Sequence, residues 1–345
     1  MKTTLTKAAV ASLTALVVGS ASAQESVSKP VGYETVEINQ QFNYVGLRLV
    51  GTPLATSTVA TATDDGANGL LTLEGATLDD GVVIVEVNDG DALGEVAGGT
   101  VAGGTITVDL SLLDNLAEGD SVTIRQPQTL ASVFGDPATE LDGSAGSGAA
   151  DLILVPEGDG FKTYYYNTGT FVTAAGWKEV VDGVDVDVDA AEVNLFYTDG
   201  LVIQNRGGDN SLVISGSVKT TPTTVVLASQ FNYLSTLYPV GSTISSLFDD
   251  PASPGTIRPG TLDGSAGAGA ADLILVPDGA GFRTFYYNTG TFVSAAGWKE
   301  VVNGADQDVV SADISLDGAS SFVIQNRGDV NQPVAVGAPD FYSTL

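Results

Sequence analysis

LDGSAGSGAADLILVPEGDGFKTYYYNTGTFVTAAGWKEVVDG at 141–183 returns at 262–304 as LDGSAGAGAADLILVPDGAGFRTFYYNTGTFVSAAGWKEVVNG, 121 residues on, with 36 of the 43 positions identical. A chain that repeats itself over this length carries two copies of one structural unit. Inside the copy, Leu152-Ile153-Leu154-Val155 is an apolar run stopped by Pro156, the pattern of a short strand buried on both faces. Phe161 to Tyr166 reads as the next strand, Asn167-Thr168-Gly169 supplies turn chemistry, and Thr170-Phe171-Val172 starts another strand.

Working outward, LVIQNR at 201–206 returns as FVIQNR at 322–327, again 121 residues on. QFNY at 41–44 returns at 230–233, and TLASVFGD at 129–136 returns as TISSLFDD at 243–250. From Gln41 to Thr129 is 88 positions, whereas from Gln230 to Thr243 is only 13, so a block of roughly 75 residues, about 53–127, is extra in the first unit. That block also reads as β: Gly81 to Val87 runs into the turn Asn88-Asp89-Gly90-Asp91, and Thr105 to Leu110 alternates apolar with polar. Helix is scarce. Ser111-Leu112-Leu113-Asp114 opens with a cap-like Ser, and Thr129–Phe134 and Thr243–Phe248 each suit a single turn. The expected class is all-β: two tandem duplicated β-sandwich or small-barrel domains, 24–216 and 217–345, with the extra β-rich block in the first. A transmembrane barrel needs aromatic girdles and many strands of even length, which 7% aromatic residues and uneven strands do not supply.

Residues 1–23 have the three parts of a secretory leader: Lys2 and Lys7, the apolar run Ala8–Val18, and the small-x-small site Ala21-Ser22-Ala23. The expected address is therefore outside the cytoplasm: periplasm, outer surface or medium. No later stretch suits a transmembrane helix in the mature chain. The 345 residues hold 13 Lys+Arg against 42 Asp+Glu, with no His and no Cys. These counts exclude a cysteine nucleophile, a Ser-His-Asp triad, disulfides and ordinary zinc sites. The net charge of −29 argues against nucleic-acid partners, and removing the two leader lysines takes it to −31.

Three groups of residues are candidates for chemistry. Tyr164, Tyr165, Tyr166 and Trp177, with Phe285, Tyr286, Tyr287 and Trp298 in the second copy, suit the core; the alternative is a platform on which sugars stack, built on Tyr165, Tyr166, Trp177, Tyr286, Tyr287 and Trp298. Asp185, Asp187 and Asp189 share one face of an extended segment, and Asp306 and Asp308 echo them. A solvated loop is the plain reading, and a Ca²⁺ site is the alternative, because crowded carboxylates suit a hard cation. Lys162/Arg283, Lys178/Lys299 and Arg206/Arg327 stand at matched positions, as expected of bases that neutralise nearby carboxylates, with Glu179/Glu300 and Asp151/Asp272 as partners. Gly143 to Asp151 lacks the Lys-Ser/Thr of a phosphate loop and reads as a flexible connection.

The order of QFNY, the T-L-x-S-V-F segment, the tyrosine-rich strand, Gly-Trp-Lys and F-V-I-Q-N-R resembles an uncharacterised, paralogue-rich family of exported bacterial β-repeat proteins. That resemblance covers nearly the whole mature chain and brings no activity or catalytic residue with it. The acidic, cysteine-free composition is similar to that of surface-layer and matrix proteins. The expectation is a non-enzymatic structural or adhesive protein of the envelope or matrix, whose partners are its own copies or polysaccharide, assisted by divalent cations. A glycan-binding protein using the Tyr/Trp clusters and a carboxylate-based glycan hydrolase are the alternatives.

Overall fold

The computed structural model describes residues 31–339 and Tyr342, apart from 159, 280, 292–293, 319 and 329–331. The expected leader at 1–23 lies outside the described residues. The duplicated unit is built on a six-stranded antiparallel sheet. In the first unit its spatial order is Val184–Asp187, Gly176–Val181, Gly160–Asn167, Leu152–Glu157, Gly200–Asn205 and Gln41–Gly46. In the second unit Ala305–Asp308, Gly297–Val302, Gly281–Asn288, Leu273–Asp278, Ser321–Asn326 and Gln230–Ser235 repeat that order.

Turn chemistry sets the hairpins. Val181 pairs with Val184 across Asp182-Gly183, both at positive φ (50° and 79°), and Asn303-Gly304 repeats this at 52° and 78°. Asp-Gly and Asn-Gly are the dipeptides that adopt this mirror-image turn at least strain. Pro156 does not end its strand, which runs Leu152–Glu157. Pairing with the neighbouring strand stops at Leu154, so the missing N–H of Pro156 lies beyond that ladder. Nor is the strand buried on both faces: of Leu152–Glu157 only Ile153 is fully buried. Thr170-Phe171-Val172 is a loop rather than a strand, and Phe171 is fully exposed.

A small second sheet completes each sandwich. Asn210–Val218 pairs with Val31–Ile38 and with Leu49–Val50 in the first unit, and Thr223–Leu227 pairs with Gln332–Val336 in the second. Ile38, Leu212 and Ile214 from the small sheet share one core with Ile153, Tyr164 and Ile203 from the large one. The short helices Leu130–Phe134 and Ile244–Phe248 start at Thr129 and Thr243, whose hydroxyls accept from the Ser132 and Ser246 N–H groups.

The extra block is a closed six-stranded barrel, in the order Pro53–Asp64, Gly69–Leu73, Thr105–Val108, Val96–Ala102, Gly81–Val87 and Ser121–Arg125. Closure leaves no unpaired sheet edge. Its core, including Val59, Leu71, Val85, Ile106 and Ile124, is separate from that of the sandwiches. The 3₁₀ turn Leu110–Asp114 is capped by Asp109, whose carboxylate accepts from the Ser111 N–H, and not by Ser111 as its sequence suggests. Asp109 is the better acceptor because it stands one residue before the turn, where the first N–H groups point.

The two sandwiches meet through matching surfaces. Tyr44 packs edge-on against Phe282 with ring centroids 4.9 Å apart, and Tyr233 packs against Phe161 at 4.7 Å, with the units exchanging roles. The Gly46 N–H donates to Ser320 Oγ (3.0 Å) and the Ser235 N–H donates to the Thr198 carbonyl (2.9 Å). A Cβ on Gly46 would stand 2.0 Å from the Ser320 carbonyl oxygen, so the close approach requires glycine there. This is the reciprocal contact of a two-fold dimer, made inside one chain. Among the described residues, no helix is long and apolar enough to cross a membrane.

Candidate functional site

Register brings the aromatic and acidic candidates together. Tyr165 stands opposite Lys178, and Lys178 opposite Asp187, across three neighbouring strands. The Tyr165 hydroxyl donates to Asp185 (2.6 Å), and Tyr286 does the same to Asp306 (2.6 Å). Lys178 pairs with Asp187 and Lys299 with Asp308. Burial raises the Tyr165 and Tyr286 hydroxyls above the ordinary tyrosine value, and their acidic acceptors reinforce the shift. Asp189 lies off this ladder and accepts from the Ala191 N–H (2.9 Å), an Asx turn.

Each of these carboxylates is therefore bound singly, by a phenol, an ammonium or a backbone N–H. Among the described residues, no group of three or more acidic side chains converges to hold a metal ion. The reason is local: strand pairing points Asp185 and Asp187 at different partners, whereas a Ca²⁺ cage needs roughly six to eight oxygens at one point.

The aromatic platform is corrected by burial. Tyr165, Trp177, Tyr286, Tyr287 and Trp298 are buried, and Tyr166 is half-buried. Trp177, 2% exposed, lies edge-on to Tyr166 at 5.6 Å and donates its indole N–H to the Gly135 carbonyl (2.9 Å). Trp298 repeats the ring contact with Tyr287 at 5.6 Å, and its N–H donates to Asp249 (2.7 Å). Both indoles tie a short helix to the large sheet, so their faces meet protein and not a sugar.

The matched bases are structural as well. Arg283 forms a two-point pair with Glu300, as expected, whereas Lys162 pairs with Glu157 and not with Glu179, which stands opposite Tyr164. Arg206 and Arg327 grip backbone carbonyls of the glycine-rich segments, at Ser147 and Ala268. Asp151 is buried and accepts from the Asp142 and Arg206 N–H groups, and Asp272 repeats this with Asp263 and Arg327. The segment at 143–151, expected to be flexible, is thus fastened at its end by a buried carboxylate.

One buried acid, Glu86, and one half-buried acid, Asp199, escaped the sequence reading. Glu86, in the barrel strand Gly81–Val87, is 2% exposed and meets three elements: its Oε1 accepts from the Tyr197 hydroxyl (2.6 Å), lies 2.9 Å from Arg125 Nε and 3.6 Å from Lys219 Nζ. The Arg125 contact is an ion pair without hydrogen-bond alignment, and Nε has no hydrogen-bond partner among the described residues. Burial alone would raise the Glu86 carboxyl, but Lys219 and Arg125 overcome it and hold the group below its ordinary value. A lone Glu inside Val-Val-Ile-Val-Glu-Val is the signal that points to such a partnered charge. Asp199, at the unit junction, is pushed up to about 7 by burial, offset in part by the Thr198 hydroxyl at 3.2 Å.

The junction also holds an open groove of about 590 Å³ between residues of Val36–Val45 in the first unit and Pro277, Gly279, Gly281 and Phe282 of the second. Phe42 and Phe282 line it and are 50% and 40% exposed, while Tyr44 between them is half-buried. The Asn43 side chain is consumed in bonds to the Asn39, Gln41 and Ile203 carbonyls, which fold the backbone of this edge. No hydrogen bond within the described residues engages the side-chain amides of Asn39 and Gln41. QFNY is legible in the sequence as a repeat marker; what the sequence does not show is that the QFNY edge of one unit faces a hairpin of the other. Comparison with family models, curated proteins and solved structures gives no match to this chain.

Proposed function

We propose that the protein is an exported, non-catalytic component of the cell envelope or extracellular matrix, structural or adhesive, associating with its own copies or with polysaccharide and assisted by divalent cations such as Ca²⁺. The observation that carries this reading is the disposition of charge. All ten lysines and arginines among the described residues are engaged within the chain. Seven pair with carboxylates, and Arg206, Arg258 and Arg327 grip backbone carbonyls. With 42 acids in the sequence, the charge left to face outward is acidic.

Such a surface keeps separate copies apart at low salt and becomes adhesive when a cation bridges carboxylates on two bodies. The duplicated sandwiches, joined through their matching edge strands, give that surface a firm support. The test is fractionation of the producing cells, followed by sedimentation of purified protein with millimolar CaCl₂ or EDTA. The expected result is recovery with the envelope or matrix, and larger assemblies in Ca²⁺ that EDTA reverses. A cytoplasmic protein, or one that stays monomeric in Ca²⁺ and absent from the envelope, overturns the reading.

A further inference from the structure

We propose that the groove at the unit junction binds a neutral polysaccharide, with Phe42 as the stacking face and the amides of Asn39 and Gln41 as its hydrogen-bonding partners, and that the matched edge at Gln230–Tyr233 provides a second contact through Phe231 and the Gln230 amide alone, because Ala228 stands where the first unit has Asn39. The inference deepens the adhesive role above, on which it rests, by naming a partner class and a site.

Three observations carry it. The first is the chemistry. A sugar ring has an apolar C–H face bordered by hydroxyls, and each hydroxyl both donates and accepts. A half-exposed phenyl ring suits the face, and a primary amide, which also donates and accepts, suits the rim. A volume of about 590 Å³ falls within the range of small-ligand sites, roughly 300–1,000 Å³. The second is repetition. Phe231 matches Phe42 and is 49% exposed against 50%, and Tyr233 with Phe161 repeats the ring contact of Tyr44 with Phe282. Water-facing phenylalanine held at the same place in both copies has no role in either core.

The third is strain. Gln41 has φ +89° and Gln230 has φ +71°, backbone that favours glycine, and Gln230 repeats the conformation at the matching position. The Asn43 bonds account for the shape of the turn but not for a long amide side chain at its strained position. Strain of this sort is kept where the side chain has work to do. Charge selects a neutral glycan: Glu37 lines the groove, and Asp209 accepts from the Gln40 N–H at 3.2 Å, so an anionic polymer is repelled.

The experiment is affinity electrophoresis of the full chain in native gels cast with laminarin, xyloglucan or galactomannan, with alginate as the acidic comparison. Wild type is expected to be retarded in at least one neutral gel and not in alginate. Phe42→Ala and Phe231→Ala should each weaken retardation about tenfold, and the double variant should lose it, as expected when two linked contacts act together. Both rings are half-exposed, so far-UV circular dichroism of the variants should match wild type. Gln41→Gly separates function from structure: it should raise the urea midpoint by relieving the backbone while weakening retardation. A rise in midpoint with unchanged retardation assigns Gln41 a structural role only and overturns the site. So does an absence of retardation in every neutral gel, retention in alginate alone, or retention unaltered in the double variant. Envelope recovery and Ca²⁺-dependent sedimentation are read separately from these gels, so a failure of the site is distinguishable from a failure of the adhesive role.

Discussion

Asp199 shows how one side chain records the asymmetry between two nearly identical units. It immediately precedes the strand Gly200–Asn205 and forms an isolated antiparallel bridge with Leu234 of the second unit, and the matching position 121 residues on is Ser320. The serine accepts the Gly46 N–H without carrying charge, whereas the carboxyl of Asp199 is pushed up to about 7 by burial. A carboxyl raised in the folded state binds its proton more tightly there than in the unfolded chain. Its contribution to stability is therefore complete below the unfolded value near 4 and is lost as pH climbs through about 7. Every tenfold gain in proton affinity is worth about 1.4 kcal/mol, and the partial solvent contact of the residue reduces the total to about 2 kcal/mol. Urea unfolding of Asp199→Asn at about pH 5 and about pH 8, on either side of the folded-state titration, is the measurement. The variant is expected to be more stable than wild type by about that amount at the higher pH and to lose this part of the pH slope. An unchanged slope would place the titration elsewhere.

At the scale of elements, much was legible in the sequence, because strands and turns are local. The single helical turns expected at Thr129–Phe134 and Thr243–Phe248 are present, whereas the acidic run read as a solvated loop starts with the hairpin at Asp182-Gly183, repeated at Asn303-Gly304. The alternation at Thr105–Val108 marks a strand of what closes as a barrel. What the sequence could not show is pairing over long separations. Trp177 reaches Gly135 across 42 residues and Tyr197 reaches Glu86 across 111, so burial of the first and the role of the second depend on how elements dock. Glu86 is the joint between the barrel, the first sandwich and the segment at Lys219 that leads into the second unit. Removing one partner of a buried ion cluster leaves the others uncompensated, so Glu86→Gln is expected to destabilise the protein by about 3–5 kcal/mol. Adding Lys219→Met should recover part of the loss by removing one of the stranded charges. Hydrogen exchange is the sharper readout: amides of Gly81–Val87 and Ser121–Arg125 should lose protection before those of the sandwich strands. Uniform loss of protection would show that the joint does not couple separate bodies.

For the molecule as a whole, the same division of charge on which the proposed adhesive role rests fixes how stability answers to salt. The least screened attraction between opposite charges is internal: Arg48 with Glu34, and Arg125 and Lys219 with Glu86, join side chains at most 12% exposed, whereas Asp187 and Asp308 meet their lysines from the surface. Buried pairs are screened weakly. Repulsion among the surplus acids is external, and at physiological ionic strength it is screened beyond about 8 Å. Salt should therefore remove more repulsion than attraction, and NaCl is expected to raise the urea midpoint steadily from low to physiological concentration. The gain should be largest at neutral pH and shrink as pH falls toward the carboxyl range, because protonation removes the same repulsion that salt screens. CaCl₂ at equal ionic strength distinguishes screening from bridging: a midpoint that follows ionic strength alone is screening, whereas a further rise in Ca²⁺ marks carboxylates that share the ion. A midpoint that falls with NaCl would mean that exposed ion pairs, and not the acidic exterior, dominate the electrostatics of this fold.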